Sequence, residues 1–142
     1  MSEVISFTGP ARRLTEPEVD RITAVVEASP ADLYVSGAAY GVDTAAALAA
    51  YVHRGCVRLA VPRGEVYNTD LVHIAEQMPG WEIEYVDGGY MARNDRLVEL
   101  ATVLLAFPET QEEQLRSGTW ATIRRARKAG IHVALYPLSD VA

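Results

Sequence analysis

The sequence predicts a single three-layer α/β/α domain, in which helices cover both faces of a mainly parallel sheet of five or six strands. Short apolar segments alternate with segments of helical periodicity along all 142 residues. Apolar strands separated by single helices are typical of parallel βαβ units, because the crossover helices bury both faces of the sheet. No linker, repeat or low-complexity segment interrupts the pattern, so we expect residues 1–142 to form one domain.

The predicted strands are short apolar segments that lie between the helical ones. They cover 4–7, 32–36, 57–62, 102–107 and 131–137. A sixth segment, 81–86, alternates apolar and charged residues, which indicates a short strand or a strand at the edge of the sheet.

The predicted helices connect these strands, and two of them begin with recognisable capping residues. They cover 15–29, 43–54, 68–80, 91–101 and 119–129. Thr15 and Glu18 form a capping box, and Asn68 is the expected cap of the third helix. The side chains expected to face inward are Val19, Ile22, Val25, Val26, Leu71, Ile74, Ala75, Met78, Thr122, Ile123, Ala126 and Ala129.

Composition and charge exclude several classes of protein. With 49% hydrophobic and 23% charged residues, the chain is expected to fold into a globular domain. Its net charge of −6 argues against a main role in coating nucleic acid. No apolar run reaches the roughly 20 residues of a membrane span, and the N-terminus lacks the form of a signal peptide. We therefore expect a cytoplasmic protein with no membrane partner.

Metal sites and common cofactor sites are not expected. Cys56 is the single cysteine, which excludes an intrachain disulfide and a multi-cysteine metal site. The three histidines lie in unrelated elements, with no cysteine or carboxylate at ligand spacing. The chain has neither the GxGxxG fingerprint of nicotinamide-binding proteins nor a Walker A motif. The expectation is therefore no metal and no cofactor.

Glycines mark the carboxyl ends of three predicted strands, which is where ligands gather in an open parallel sheet. They are Gly9 after the first strand, Gly37 and Gly41 after the second, and Gly118 before the last helix. Glycine lets the backbone approach a ligand, and the helix that follows offers unpaired N–H groups and a positive dipole end. This pattern predicts a site for a phosphate or another anion.

Polar residues beside these glycines have more than one role open to them. Asp43 would cap the second helix, bind a ribose hydroxyl or orient the preceding loop. Ser117 and Thr119 would cap the last helix, contact a phosphate, or do both.

The basic residues divide into two groups. Arg93 and Asn94 follow the glycine pair at 88–89, and we expect them to contact a phosphate or a base, with a buried ion pair as the alternative. Arg116 directly precedes the last helix and is placed to meet an anion there. The cations at 124–128 fall mainly on the solvent-facing side of that helix, where they suit its negative C-terminal end.

Four segments of the chain together resemble the SLOG superfamily. This Rossmann-like fold is shared by lonely-guy proteins, the domain of DNA-processing protein A and YpsA-related proteins. The segments are FTGPARRLT, VSGAAYGVDTAA, GGYMARNDRLVELATVLLAFPE and RSGTWATIRRARKAG. The similarity is greatest to the small single-domain YspA/YpsA-related branch.

The resemblance implies a nucleotide-type ligand in a pocket built around the glycine-marked turns. With the neighbouring polar residues, the expected ligand- and phosphate-binding set is Gly9, Arg12, Ser36, Gly37, Gly41, Asp43, Arg93, Asn94, Arg116, Ser117, Gly118 and Thr119. It also implies a homo-oligomer, because members of the superfamily commonly associate through helices beside the pocket.

The resemblance leaves enzymatic activity open. Lonely-guy proteins are phosphoribohydrolases whose motif PGGxGTxxE combines phosphate-binding glycines with a catalytic glutamate. Here Pro108 is followed by a longer acidic loop, and Thr122 occupies the glutamate position. Threonine has no carboxylate that could stabilise an oxocarbenium-like transition state or transfer a proton. No catalytic residue is therefore assigned.

Three functions compete at this point, and binding of a nucleotide or nucleotide-derived ligand is the leading one. A nucleotide N-glycosidase would need a carboxylate from 109–113 or from Asp43. A DNA-binding protein resembling DNA-processing protein A would use Arg12, Arg13 and Arg116, together with the cations of the last helix. The sequence indicates no aromatic platform for stacking bases, which argues against this last hypothesis.

Overall fold

The computed structural model describes residues 2–141 and has the predicted architecture of a parallel sheet between two layers of helices. The strands are β1 (Val4–Thr8), β2 (Leu33–Ser36), β3 (Val57–Pro62), β4 (Trp81–Val86), β5 (Val103–Ala106) and β6 (His132–Leu135). The helices are α1 (Glu16–Glu27), α2 (Val42–Arg54), α3 (Thr69–Gln77), α4 (Gly89–Leu100) and α5 (Gly118–Lys128). A short 3-10 turn, Leu138–Asp140, follows the last strand.

The strand order places a topological switch point in the middle of the sheet. All six strands are parallel, in the order β4-β3-β2-β1-β5-β6. The chain runs outward from β1 to β4 and then returns to place β5 on the other side of β1. Helices α1, α2 and α3 cover one face, and α4 and α5 cover the other. Loops from β1 and β5 therefore leave toward opposite faces, which opens a crevice at their carboxyl ends.

The core consists of apolar side chains on both faces of this sheet. On the α1–α3 side, the rings of Phe7 and Tyr34 stack with their centroids 6.1 Å apart. On the other side, Trp120 and Ile123 of α5 pack with Leu104 of β5. The strand at 81–86 lies at the edge of the sheet, which confirms the prediction from its alternating pattern.

The predicted capping residues begin their helices as expected. The Thr15 hydroxyl accepts a hydrogen bond from Glu18 N–H, and the Glu18 carboxylate accepts one from Thr15 N–H, which completes the capping box. The Asn68 side chain accepts from Leu71 N–H at 3.2 Å. Each side chain satisfies a backbone N–H that has no partner within its own helix.

Some predicted inward faces were wrong. Val19 is 37% exposed and lines a groove beside α2, and Ile74 is also exposed because Leu71, Val72 and Ala75 form the buried stripe of α3. Met78 and Ala129 are exposed because they stand at helix ends, where the chain turns away from the sheet. Within residues 2–141, no helix is both long enough and apolar enough to cross a membrane.

Candidate functional site

A cavity of about 580 Å³ opens at the switch point, at the carboxyl ends of the central strands. Its walls come from the turn after β1, the loops after β2 and β3, the first half of α4, and the loop between β5 and α5. The lining residues are Thr8, Gly9, Pro10, Ala11, Ala39, Tyr40, Asp43, Val66, Tyr90, Arg93, Asn94, Leu97, Glu109, Ser117, Gly118 and Thr119. This is the position at which open α/β sheets bind ligands.

The groups that line the cavity differ in type from one end of the sheet to the other. The start of α5 follows β5, and the Gly9 turn follows β1. Asp43 belongs to the segment after β2, and Val66 and Tyr90 follow β3 and β4. The strand order across this part of the sheet is β5-β1-β2-β3-β4. The backbone N–H groups at the start of α5 therefore lie at one end of the cavity, and the Tyr90 ring, which forms its aromatic wall, lies at the other.

The start of α5 presents unpaired hydrogen-bond donors. The Ser117 hydroxyl accepts from Trp120 N–H at 3.3 Å and caps the helix, as expected. Within residues 2–141, the N–H groups of Gly118 and Thr119 have no acceptor, and the Thr119 hydroxyl has no partner. Thr119 is only 9% exposed. Three donors therefore gather at one end of the cavity, beside the positive end of the helix dipole.

Asp43 and Arg93 lie together on the cavity floor. Asp43 is 6% exposed and Arg93 is 8% exposed. The Arg93 guanidinium donates through Nη1 to the Gly37 carbonyl and through Nε to the Asn94 side-chain oxygen. Asp43 Oδ2 accepts from Ala39 N–H at 3.2 Å. Gly37 makes room for both, since a Cβ there would lie 2.8 Å from Arg93 Nη1 and from Asp43 Oδ2.

Asp43 does not cap its helix. The cap position of α2 is Gly41, which supplies no side-chain hydrogen bond, and Asp43 stands in the first turn. Of the roles left open by the sequence, the structure shows the contact that orients the preceding loop. Burial raises the pKa of Asp43 to about 6, although the Arg93 charge and the hydrogen bond from Ala39 N–H act in the opposite direction.

Arg12 lies outside the cavity lining, and its donors are already used. Its guanidinium bonds to Glu18 at 2.7 and 3.0 Å and to Glu109 at 2.7 Å through each of two nitrogens. Hydrogen bonds from Arg12 and Thr15 lower the pKa of Glu18 to about 2. This network ties the β1 turn to α1 and to the loop after β5. Arg12 therefore supports the site from behind in this structure.

Besides Arg12 and Gly37, three other predicted site residues lie outside the cavity lining. A Cβ at Gly41, where φ is +77°, would lie 2.5 Å from the Pro10 carbonyl oxygen. Ser36 is fully buried and donates to the Asp43 backbone carbonyl at 2.9 Å. Arg116 is exposed and lies outside the lining. Gly9 does line the cavity, but its missing side chain serves the close packing of Val42, 2.5 Å from the position of its Cβ.

Two of the four cations of α5 are bound to carboxylates. Arg124 pairs with Glu113 at 2.8 Å, and Arg125 pairs with Asp95 of α4. Both arginines stay partly exposed on the solvent-facing side of α5, as the sequence indicates, and the structure adds their carboxylate partners. Side chains from α4 and the acidic loop reach them, a tertiary contact that helical periodicity does not describe.

The sequence interpretation missed the aromatic side of the cavity. The Tyr90 hydroxyl accepts from Val66 N–H at 3.0 Å and donates to Val66 O at 3.2 Å, which fixes the ring at the rim. Tyr40 lies in the same lining and is half exposed. Both tyrosines stand within glycine-marked turns, SGAAYG and GGY, which was the available clue. The sequence argument against an aromatic platform did not include these two side chains, which line the cavity.

Thr122 is not part of the lining described in residues 2–141. It is buried in α5, where its hydroxyl donates to the Gly118 carbonyl at 3.2 Å. The carboxylates that do line the cavity are Asp43 and Glu109. Glu109 is held by Arg12, and Asp43 lies beside Arg93.

Comparison with known proteins identifies the fold. No family model and no curated protein matches the sequence. DNA processing protein A from Streptococcus pneumoniae is similar over 94% of this chain, with a TM-score of 0.68 and 21% identity. DNA processing protein A from Helicobacter pylori, whose structure concerns single-stranded DNA binding, is similar over 94% with a TM-score of 0.68 and 19% identity. The structural-genomics target TM1055 is similar over 92%, with a TM-score of 0.60 and 18% identity.

The class that the fold defines is a Rossmann-like α/β domain. Within that class, the chain is similar to DNA processing protein A in fold. It spans 50% of the Streptococcus protein, 64% of the Helicobacter protein and 72% of TM1055.

Proposed function

We propose that the protein binds a nucleotide or a nucleotide-derived small molecule, with the phosphate at the start of α5. The observation that carries this proposal is the group of unpaired donors there. The N–H groups of Gly118 and Thr119 and the Thr119 hydroxyl belong to residues that line the cavity, and they have no partner in the described chain. A phosphate oxygen would satisfy donors that are otherwise costly to leave unpaired, and the helix dipole favours its charge.

The charges around the cavity favour one anionic group at that end. Glu109 lies nearby, but its carboxylate is paired with Arg12 at 2.7 Å. Asp43 is further along the sheet and lies beside Arg93. The start of α5 therefore offers positive potential that no carboxylate of the lining cancels directly.

The opposite end of the cavity suits a planar base. The Tyr90 ring is held in place by its two hydrogen bonds to Val66, and the Arg93 guanidinium lies 5.5 Å from its centroid. Tyr40 and Val66 add apolar surface beside it. Aromatic and apolar surface at a rim is the kind of surface on which nucleobases stack.

Calorimetric titration tests the phosphate position. We expect ribonucleoside 5′-monophosphates to bind at least roughly tenfold more tightly than the matching nucleosides, because charge-assisted hydrogen bonds are lost with the phosphate. Thr119→Val removes the hydroxyl at nearly constant volume and should weaken monophosphate binding about tenfold. Thr119→Ser keeps the hydroxyl and serves as the matched control. Unchanged affinity in Thr119→Val would place the phosphate elsewhere.

The geometry favours binding over hydrolysis. A lonely-guy-like N-glycosidase needs a free carboxylate near the sugar, and Thr122 supplies none. Glu113 is paired with Arg124, Glu109 is paired with Arg12, and Glu112 lies outside the cavity lining. Among the carboxylates that line the cavity in residues 2–141, only Asp43 is left for a hydrolase, and one of its two oxygens already accepts from Ala39 N–H.

Single-stranded DNA binding is the second candidate. Arg13 and Arg116 form no salt bridge within residues 2–141, and each adjoins a loop of the cavity. The Helicobacter protein of similar fold is described by its single-stranded DNA binding mode. Against this candidate, Arg12, Arg124 and Arg125 are occupied by carboxylates.

We also propose that the protein belongs to the YspA/YpsA-related branch, acts in the cytoplasm and forms a homo-oligomer. The four sequence segments that resemble the superfamily support the branch. The exposed Val52 and Leu48 on α2 support association, since apolar side chains on an open helix favour burial. Analytical ultracentrifugation measures the association directly, and a monomer at high concentration would contradict it.

A further inference from the structure

The Asp43–Arg93 pair on the cavity floor has hydrogen-bonding capacity that the protein leaves unused. Asp43 accepts through Oδ2, and no donor within residues 2–141 reaches Oδ1. Arg93 donates through Nη1 and Nε, and no acceptor in the same part of the chain reaches Nη2. Within residues 2–141, Trp81 Nε1 is the one side-chain nitrogen or oxygen that is fully buried and has no hydrogen-bond partner. Asp43 Oδ1 and Arg93 Nη2 also lack a partner, so neither atom is fully buried. Both residues line the cavity, to which these atoms therefore keep access.

The two free atoms define the chemistry of their partner. Asp43 Oδ1 accepts a hydrogen bond and Arg93 Nη2 donates one, and both belong to side chains more than nine-tenths buried. The ionised pair is neutral overall, so a second phosphate gains attraction from Arg93 but meets repulsion from Asp43. A hydroxyl group donates and accepts through a single oxygen and carries no charge, so its chemistry matches both atoms.

The position of the pair identifies which part of the ligand carries that hydroxyl. Asp43 and Gly37, to which Arg93 binds, follow β2. The phosphate donors of α5 follow β5 on one side, and the Tyr90 wall follows β4 on the other. The floor pair therefore lies between the anion-binding end and the aromatic end. A nucleotide has its sugar between its phosphate and its base, so the hydroxyl that reaches the pair is a sugar hydroxyl.

We propose that Asp43 and Arg93 bind a ribose hydroxyl of the ligand and make the site selective for ribonucleotides over their deoxy analogues. This inference rests on the proposed nucleotide site. Asp43 accepts from the hydroxyl through Oδ1, and Arg93 donates to the same oxygen through Nη2. The parts of the ligand then lie in the order phosphate at the start of α5, sugar at Asp43 and Arg93, and base at Tyr90.

The experiment compares ribose and deoxyribose forms of one nucleotide by calorimetry at pH 8. The four ribonucleoside 5′-monophosphates are titrated first, and the tightest is then compared with its 2′-deoxy and 3′-deoxy analogues. We expect at least one deoxy analogue to bind roughly tenfold more weakly, because a hydrogen bond to a charged group is lost. Asp43→Asn keeps an oxygen for Ala39 N–H, removes the charge and should bring the ratio of affinities toward one.

Asp95→Asn is the matched control, because Asp95 also lies beside an arginine but outside the cavity. It should leave the ratio unchanged. Equal binding of ribose and deoxy forms by the unmodified protein would overturn the sugar assignment and leave the nucleotide site standing. A ratio that survives in Asp43→Asn would also overturn it. Failure of every monophosphate to bind would contradict the proposed function, and the sugar assignment with it.

Discussion

At the scale of single residues, Asp43 shows how a buried charge is accommodated. Its carboxylate is removed from water, and the hydrogen bond from Ala39 N–H together with the Arg93 charge compensates only part of that cost. The pKa of Asp43 is therefore raised to about 6, because the cost of burial exceeds the stabilisation by these two partners. Gly37 is required in this arrangement, because any side chain there would collide with both polar groups. A buried carboxylate kept at a stability cost is typical of a residue with a functional role.

The raised pKa of Asp43 predicts a specific dependence of stability on pH. The folded protein holds this proton up to about pH 6, whereas the unfolded chain releases it near pH 4. The contribution of Asp43 to stability is therefore complete below about pH 4 and is lost as the pH rises through 6. Two pKa units correspond to about 3 kcal/mol.

Asp43→Asn should remove this contribution. Relative to the unmodified protein, the variant should gain up to about 3 kcal/mol in free energy of unfolding between pH 4 and pH 7.5. Urea denaturation at both pH values measures the gain, with Asp95→Asn as the control. The same stability difference at both pH values would show that Asp43 is not the titrating group.

At the scale of elements, the glycines of the site have opposite roles. Gly9 lies where the β1 turn touches α2, and a Cβ there would be 2.5 Å from Val42. Gly118 begins α5, and a Cβ there would meet nothing within 4 Å. The first glycine serves close packing between two elements, and the second leaves open space at the expected phosphate position. Gly9 and Gly118 therefore have different structural roles, although both are glycines in turns at the same edge of the sheet.

Alanine at each position separates these roles. Gly9→Ala should lower the free energy of unfolding by about 1–3 kcal/mol, because the added methyl overlaps Val42. Gly118→Ala should be neutral or stabilising by up to about 1 kcal/mol, because helical glycine costs backbone entropy. Chemical denaturation measures both. Val42→Ala should reduce the cost of Gly9→Ala, and additive effects in the double variant would contradict the assigned contact.

At the scale of the whole molecule, the charges are arranged in local pairs rather than in one basic surface. The net charge is −6. Arginines of the β1 turn and of α5 meet carboxylates from other elements, as in the pairs of Arg12 with Glu109 and Arg124 with Glu113. A strand of nucleic acid would have to compete with these pairs. A small ligand in the cavity meets no such competition at the start of α5.

This arrangement predicts weak binding of single-stranded DNA. With Arg13 and Arg116 as the cations available near the cavity, about two phosphates are contacted, and the slope of log affinity against log salt should be about −1.4. Fluorescence anisotropy of a labelled oligothymidine across a salt series measures this slope. The double variant Arg13→Ala/Arg116→Ala should abolish most of the salt dependence. A slope steeper than about −3 would show that the ion pairs open and would favour the DNA-binding candidate.

The sequence was sufficient to predict the architecture, because strands, helices and their caps depend on residues close together in the chain. Alternation of apolar strands with capped helices predicts a parallel sheet, and the residues Thr15, Asn68 and Ser117 begin their helices as expected. Glycines after the strands located the switch-point edge, because strand ends in a parallel sheet meet there. The prediction that Met78 and Ala129 face inward was wrong, because periodicity does not show where the chain turns away from the sheet at the end of a helix.

Partnerships between distant residues were decided only by the tertiary structure. The sequence alone placed Asp43, Arg93 and Thr119 near the carboxyl edge of one sheet. It did not show that Arg12 is bound by two carboxylates, or that Tyr90 is fixed to Val66 as a wall of the cavity. Such contacts join segments separated by tens of residues, and their energy depends on distance and burial, which local patterns do not contain. The sequence therefore predicted where the candidate site lies, and the fold decided which groups remain free in the cavity.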